Sequence, residues 1–320
     1  MAKAPLYIAI LAGILICFSP GRLYAQKDTV KVGVFINSLH DFNFYDKSYK
    51  IDFWLWLLYS NAELSFDEAI EIRPSKEFDL SNTILDSTAG LQWLSMKVRA
   101  EIVYHWQLDH YPFDNQMLNV VIESADADTS SMVFIPDFEN SKIDPNFKLD
   151  EWDIDTVIVN NAISTYETTY GDQELTGQSS YPAINIAVYL NRKNSWLSLF
   201  KLITGVVVAF FISCLVFLIK PTNVDPRFGL CVGGLFAAVG NKYIIEGTVP
   251  STNTITMLDN IHNLTYVLIL LIILVSIFSL KLFEKGTEKS IRQSQRVDRI
   301  SLFVIIGIYL LAMAYLIVVR

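Results

Sequence analysis

The sequence predicts an all-β sandwich ectodomain followed by a four-helix transmembrane bundle. Short segments rich in β-branched and aromatic residues fill the first part of the chain, and four long apolar segments fill the last part. A length of 320 residues leaves room for about two domains. The 52% of apolar residues excludes a disordered chain, and the net charge of −8 argues against nucleic acid as a partner.

The first 25 residues have the pattern of a secretory signal peptide. Lys3 precedes an apolar run over residues 6–18, and Ala25 is a small residue suited to cleavage. An uncleaved membrane anchor is the alternative, but the apolar run is short for a span. The mature chain is then expected to divide into a β domain over 26–193 and a helical domain over 194–320.

Four later segments each approach the ~20 apolar residues that a helix needs to cross a bilayer. They are residues 197–219, 228–245, 264–283 and 300–319. Lys and Arg occur in the first and third connections and are absent from the second, which predicts that the first and third are cytoplasmic. The β domain is therefore expected outside the cytoplasm, in agreement with a cleaved signal.

Residues 26–193 have the pattern of an antiparallel sandwich. Strand-like segments are predicted at 30–36, 49–59, 94–104, 117–122, 153–159 and 184–190, and turns at 41–48, 73–86 and 125–131. The apolar run 51–58 is too short to span a membrane and is expected to be a strand buried on both faces. Many short strands over this length are typical of an immunoglobulin-like sandwich.

The β domain is acidic, with 27 acidic and 12 basic residues. Such a surface attracts cations, although solubility alone also explains it. Asp126 and Asp128 alternate as calcium ligands do, but a solvated acidic turn is the favoured interpretation, and no metal site is predicted. The sequence shows no nucleophile–base pair, phosphate-binding glycine loop or metal-ligand spacing, so neither an enzyme nor a cofactor is predicted.

The segment 104–118 reads YHWQLDHYPFDNQML. Its core, YPFDNQ, resembles the signature loop of the pentameric ligand-gated ion channels, the Cys-loop receptor superfamily. Tyr104 and Leu118 stand where animal members have cysteines, as is usual for bacterial members. The opening strands VKVGVFINSLHDF and IDFWLWLLYS, the late strand YPAINIAVYLNRK and the four spans follow the order of the family.

The resemblance implies a homopentameric, ligand- or proton-gated channel. The expected signal peptide, together with the lack of an outer-membrane barrel pattern in the sequence, favours a bacterial inner membrane. Membrane lipid, a small-molecule or proton agonist and permeating monovalent cations are its implied partners. The second span would line the pore. A non-conducting receptor or scaffold of the same fold is the alternative.

The resemblance also implies that the loop over residues 104–118, which we call the proline loop, couples the two domains. Its Asp114 would pair with Arg192, because a partly buried carboxylate needs a cation partner; two solvated surface charges are the alternative. The expected coupling residues are Asp41, Tyr111, Pro112, Phe113, Asp114, Arg192 and Pro250.

The family's ligand site lies under a late hairpin flap, which corresponds to residues 166–181. Aromatic faces there would bind an amine or another cation, while ordinary packing is the alternative. The expected ligand-binding residues are Phe134, Tyr166, Tyr170 and Tyr181.

In the second span, a spacing of three or four residues places the expected pore residues on one side of a helix. They are Gly229, Gly233, Phe236, Gly240 and Ile244, with Asp225 at the cytoplasmic mouth. Asp225 favours cations, although Arg227 works against it. A ring of Phe236 side chains would close the pore by dewetting. Alternatively, Gly229 and Gly233 form a close-packing motif in a tight bundle.

Overall fold

The computed structural model describes residues 27–67, 69–171, 177–247 and 255–318. The described chain has a two-sheet β domain followed by four long helices. The expected signal peptide, residues 1–25, lies outside the described residues, as does Pro250. The expected domain boundary falls between the last strand, which ends at Arg192, and the first helix, which begins at Ser195.

The strands of the β domain are paired in two sheets. They are β1 Asp28–Asn43, β2 Ser48–Tyr59, β3 Ile70–Arg73, β4 Ser75–Thr88, β5 Leu91–Val103, β6 Asn115–Ser124, β7 Met132–Pro136, β8 Lys142–Ile143, β9 Trp152–Tyr166 and β10 Ser179–Arg192. One sheet has the order β4-β5-β2-β1-β7, with β8 also beside β1, and the other has the order β3-β6-β10-β9. The pairing is antiparallel except where β1 meets β7 and β8.

Apolar and polar side chains alternate along the strands, and the apolar ones form the core between the two sheets. Val30, Val32 and Val34 of β1 are completely buried, while Lys31 between them is exposed. In β2 every second residue of 51–58 is buried and the residues between them are half-buried. The expectation that this strand is buried on both faces is therefore wrong. Each fully buried aliphatic side chain stabilises the fold by about 1.5–3 kcal/mol.

The predicted turn over residues 73–86 is also wrong. Most of it belongs to β4, an edge strand that pairs with β5 along its length. Its side chains are mostly exposed, so polar residues are tolerated and the sequence resembles that of a turn. Backbone hydrogen bonds to β5, which the side-chain pattern does not report, hold this strand in the sheet.

The helices are α1 Ser195–Cys214, α2 Val224–Glu246, α3 Met257–Glu284 and α4 Glu288–Val318, and a 3₁₀ turn, Leu215–Leu218, extends α1. All four are long and apolar enough to cross a membrane, which is compatible with a multi-pass membrane protein. Helix α4 begins well before residue 300. The basic residues expected in the third connection, residues 284–299, therefore lie mostly on the first turns of α4.

Two glycines allow α1 and α2 to approach closely. A Cβ at Gly234 would overlap the hydroxyl oxygen of Ser213 and lie 2.9 Å from the carbonyl oxygen of Ala209. A Cβ at Gly205 would lie 2.7 Å from the side chain of Asn241. Position 234 therefore has no room for a larger residue at this separation of the helices, whereas at position 205 the Asn241 side chain would have to move.

Candidate functional site

Two loops of the β domain reach the helices. In the loop between β5 and β6, Tyr111 and Phe113 pack against the helical core, and the Phe113 ring lies edge-to-face on Trp196 of α1, with 5.0 Å between ring centroids. In the turn between β1 and β2, the Tyr45 hydroxyl donates a hydrogen bond of 2.9 Å to the carbonyl oxygen of Glu246, the last residue of α2. The β domain therefore touches both α1 and α2.

Asp114 and Arg192 form a buried, bidentate ion pair at this junction. Arg192 Nε lies 2.6 Å from Asp114 Oδ1, and Arg192 Nη2 lies 3.1 Å from Asp114 Oδ2. The Asp114 side chain is 1% exposed and the Arg192 side chain is 6% exposed. The planar guanidinium matches both carboxylate oxygens, so the pair fixes a direction as well as a distance.

Aromatic rings surround the guanidinium of Arg192. Its central carbon lies 4.1 Å from the ring centroid of Trp152, 4.8 Å from that of Tyr111 and 6.0 Å from that of Phe44. Ring faces attract a cation, which offsets part of the cost of burying it. Burial raises the pKa of the Tyr111 hydroxyl, although the charge of Arg192 opposes this.

The expectation that Asp41 joins this cluster is corrected. Its carboxylate lies 3.0 Å from Lys50 Nζ and 3.6 Å from His40 Nδ1, and the hydrogen bond from Lys50 lowers its pKa. The second carboxylate near Arg192 is Glu151, at 3.5 Å. Sequence reasoning missed Glu151 because it precedes β9 without any motif.

The side chain of Gln116 closes the base of the proline loop. Its Nε2 donates to Asp114 Oδ2 at 2.8 Å and to the carbonyl oxygen of Gln107 at 2.9 Å. Its Oε1 accepts from the Tyr104 hydroxyl and from the Gln107 backbone N–H, both at 3.1 Å. Tyr104 therefore ties the base of the loop by a hydrogen bond to Gln116.

Three tyrosines predicted for ligand binding lie together on β9, β10 and the turn between them. The Tyr166 ring centroid is 5.6 Å from that of Tyr170 and 6.0 Å from that of Tyr181. The Tyr166 hydroxyl donates to both carboxylate oxygens of Glu123, at 2.8 and 2.9 Å. Arg73 Nη1 lies 3.0 Å from Glu123 Oε2, and the central carbon of the Arg73 guanidinium lies 4.9 Å from the centre of the Tyr166 ring. We call these five residues the tyrosine cluster.

Glu123 is the residue of this cluster that sequence reasoning missed. Burial raises the pKa of its carboxyl, which outweighs the hydrogen bond from Ser164 and the charge of Arg73. A lone acid near the end of the apolar strand β6 is the signal that was available. Tyr170 is 65% exposed, so the cluster reaches the surface. Aromatic faces beside a carboxylate can recognise an organic cation or take up a proton.

The prediction that Phe134 lines a ligand site is corrected. Its side chain is completely buried in the sandwich core, where its ring packs against Phe66 at 6.2 Å between centroids. A core position leaves no path to a ligand. Among the residues that the structure describes, no group of three or more His, Cys, Asp or Glu is arranged to hold a metal.

The residues predicted to line a pore share the exposed face of α2. Phe236 is 72% exposed and Ile244 is 71% exposed. Among the described residues, a Cβ added at Gly229, Gly233 or Gly240 would meet no atom beyond its own stretch of α2 within 4 Å. The opposite face carries the residues that pack against the other helices, namely Cys231, Gly234, Ala238 and Ile245. Within the described chain, the Gly229–Gly233 pair does not bring two helices together; Gly234 does.

Arg227 does not oppose Asp225 as the sequence suggested. Asp225 is exposed in the first turn of α2, whereas Arg227 is 2% exposed. Arg227 donates from Nε and Nη2 to the carbonyl oxygen of Ile219, at 3.0 and 2.6 Å, and forms an ion pair with Asp298 of α4. Its charge is thus directed into the helices and compensated there.

Neither a protein-family model nor a curated protein matches this chain. The indications of function therefore come from the geometry alone. They are the junction at Asp114 and Arg192, the tyrosine cluster and the exposed face of α2.

Proposed function

We propose that the chain is one subunit of a homopentameric channel that conducts monovalent cations and is opened by a small-molecule ligand or by protons. Its immunoglobulin-like β domain lies on the outer side of a bacterial inner membrane, and α2 lines the pore. The observation that carries this proposal is the junction, where a buried ion pair and two loops connect the β domain to α1 and α2.

The junction supports a mechanical role. Burying an ion pair rarely adds stability beyond what apolar packing provides, because both charges lose their water. What the Asp114–Arg192 pair adds is a fixed orientation between the proline loop and the chain entering α1. Movement of the β sheet is thereby transmitted to α1, and through Tyr45 to the end of α2.

The exposed face of α2 supports a pore. This helix is the least apolar of the four, so it is the least suited to facing lipid. Its exposed glycines contact no other segment of the described chain, which fits a position facing other copies around an axis. A ring of Asp225 carboxylates at one end attracts cations, and a ring of Phe236 forms an apolar constriction.

The tyrosine cluster supports gating by an organic cation or by protons. Tyr166, Tyr170 and Tyr181 supply ring faces, and Glu123 supplies a carboxylate that accepts a proton more readily than an ordinary glutamate. A proton on Glu123 removes the charge that Arg73 and the Tyr166 hydroxyl now stabilise. Either event changes the contacts between β6 and β9.

The full-length protein in liposomes provides the test. We expect potassium flux that begins on acidification or on addition of an amine from a panel, and that falls when Asp225→Asn removes the charge at the mouth. Asp86→Asn, on the exposed edge strand β4 and away from the junction, is the matched control for the loss of one carboxylate. Pentameric, folded protein with no flux under any condition would overturn the proposal.

A non-conducting receptor or scaffold of the same fold is the second candidate. The observation favouring it is the composition of the exposed α2 face, which carries glycines and Phe236 where hydroxyl side chains would help to solvate ions. In that case the proline loop would still move on ligand binding. Ligand-dependent fluorescence of Trp196, which contacts Phe113, without any flux would favour this function.

A further inference from the structure

A cavity of about 750 Å³ lies at the ends of the helices that are distant from the β domain. It is bordered by the end of α1 and the chain that follows, the end of α3 and the first turns of α4. Its lining includes the apolar side chains of Phe217, Phe283 and Leu302, which we call its apolar wall. These side chains offer an apolar surface to a hydrocarbon chain.

Basic residues also line the cavity. Lys220 and Arg299 line it, are exposed, and form no ion pair or side-chain hydrogen bond within the described ranges. The acid in the lining, Asp298, is already paired with Arg227. Two uncompensated cations therefore lie beside an apolar wall, with the amide of Gln295 nearby.

We propose that this cavity binds an anionic phospholipid. Its phosphate is held by Lys220 and Arg299, and the upper part of an acyl chain packs on the apolar wall. Basic pockets between membrane-spanning helices on the cytoplasmic side are suited to anionic headgroups, and this end carries the positive charge that predicts a cytoplasmic position. A small free anion would use the two cations but leave the apolar wall empty. The inference rests on the helices spanning a membrane and is independent of ion conduction.

The position of the site gives the bound lipid access to α2. Ile219 lies in the lining, and its carbonyl oxygen accepts hydrogen bonds from Arg227 of α2. Phosphatidylglycerol, whose phosphate carries a net negative charge, is therefore the probe for this site, and zwitterionic phosphatidylcholine is the neutral comparison.

Native mass spectrometry of the full-length protein, stripped of lipid and titrated with phosphatidylglycerol or phosphatidylcholine, tests the site. We expect tighter binding of phosphatidylglycerol to the wild type. Because each basic residue contributes about 1 kcal/mol to binding an anionic lipid, Lys220→Gln with Arg299→Gln should weaken it roughly 30-fold. Lys289→Gln with Arg296→Gln removes the same charge from the same end outside the cavity and should have little effect.

Three results would overturn the inference. Equal affinity of the wild type for the two lipids would exclude recognition of the anionic headgroup. Equal weakening in the cavity variant and the control variant would indicate general surface charge. Displacement of phosphatidylglycerol by millimolar inorganic phosphate would indicate a small-anion site instead of a lipid site. Since the wild-type comparison needs no variant, the test does not depend on the folding of the substituted proteins.

Discussion

At the scale of single residues, Asp114 and Arg192 depend on each other because both are buried. Removing one partner leaves a charge without compensation in a site that excludes water, which costs far more than the pair contributes. The aromatic rings around Arg192 reduce this cost but supply no acceptor for its N–H groups. The orientation of the pair therefore depends on both residues.

We predict that Asp114→Asn and Arg192→Gln each lower the free energy of unfolding by about 3 kcal/mol and uncouple ligand binding from gating. The double variant should be less unstable than the sum of the two, because neither charge is then left alone. Chemical unfolding and flux assays at matched surface expression measure both effects. Asp79→Asn, which breaks the exposed pair with Arg99, should change little. Additive losses would contradict a direct pair.

Glu123 makes the stability of the folded protein depend on pH, and the sign of this dependence follows from its raised pKa. The folded state holds the proton at pH values where an unfolded glutamate, with a pKa of 4.5, has lost it. The resulting stability is fully present below that value and is lost as the pH rises through the folded pKa. Above it, the buried ionised carboxylate is a net cost.

We predict that Glu123→Gln removes this pH dependence. Wild type should lose stability relative to the variant as the pH rises through the folded pKa of Glu123, measured as the difference in Tm at a series of pH values. Glu139→Gln, an exposed glutamate, is the control and should follow the wild type. Parallel curves for wild type and Glu123→Gln would contradict a raised pKa. If protons open the channel here, the variant should also lose acid activation.

At the scale of elements, α2 presents two different faces through neighbouring glycines. Gly234 lies against α1, where Ser213 and Ala209 leave no space for a Cβ. Gly233, one residue earlier, faces away from the rest of the described chain, and a Cβ there would meet no atom of another described segment within 4 Å. Glycine at position 234 thus permits close packing of α1 and α2. Glycine at position 233 leaves the other face of α2 free of side chains toward the outside of the described chain.

We predict that Gly234→Ala destabilises the helical domain, by about 1–3 kcal/mol for overpacking, since α1 and α2 must separate. Gly233→Ala should be neutral or stabilising by up to about 1 kcal/mol, because alanine favours a helix. Thermal unfolding in detergent compares the two. Loss of the oligomer in Gly233→Ala, seen by light scattering, would instead favour the close-packing motif between copies.

At the scale of the whole molecule, no other part of the described chain covers the exposed face of α2, which carries the residues predicted to line a pore. One subunit cannot enclose an ion path, so the proposed function requires copies arranged around an axis. The mass of the detergent-solubilised particle decides this directly, since five chains are expected. A monomer or dimer at concentrations that support flux would contradict the arrangement.

We predict that Phe236→Ser opens the assembled pore without ligand. A ring of hydroxyls holds water where a ring of phenyl groups excludes it, so basal potassium flux should rise several-fold. Phe278→Ser, on the exposed face of α3, is the control for loss of an exposed phenyl group and should leave basal flux unchanged. Equal basal flux in Phe236→Ser and wild type would place the constriction elsewhere.

The sequence by itself determined the features that repeat along the chain. Alternation in β1 and the length and apolarity of the four helices follow from side-chain periodicity and bilayer thickness, so local stretches were enough to predict them. The strand β4 was not predicted because its exposed, polar side chains carry no such signal. The start of α4 was not predicted because the helix continues beyond its apolar part.

Tertiary structure decided which residues meet. It placed Phe134 in the core and paired Arg227 with Asp298, 71 positions away. It also brought Arg73, Glu123 and Tyr166 together from three strands. Periodicity states which face of an element is apolar, but not which element covers it. A charge or a ring acquires its partner only when distant segments pack, and the chemistry of the junction and of the tyrosine cluster is a property of that packing.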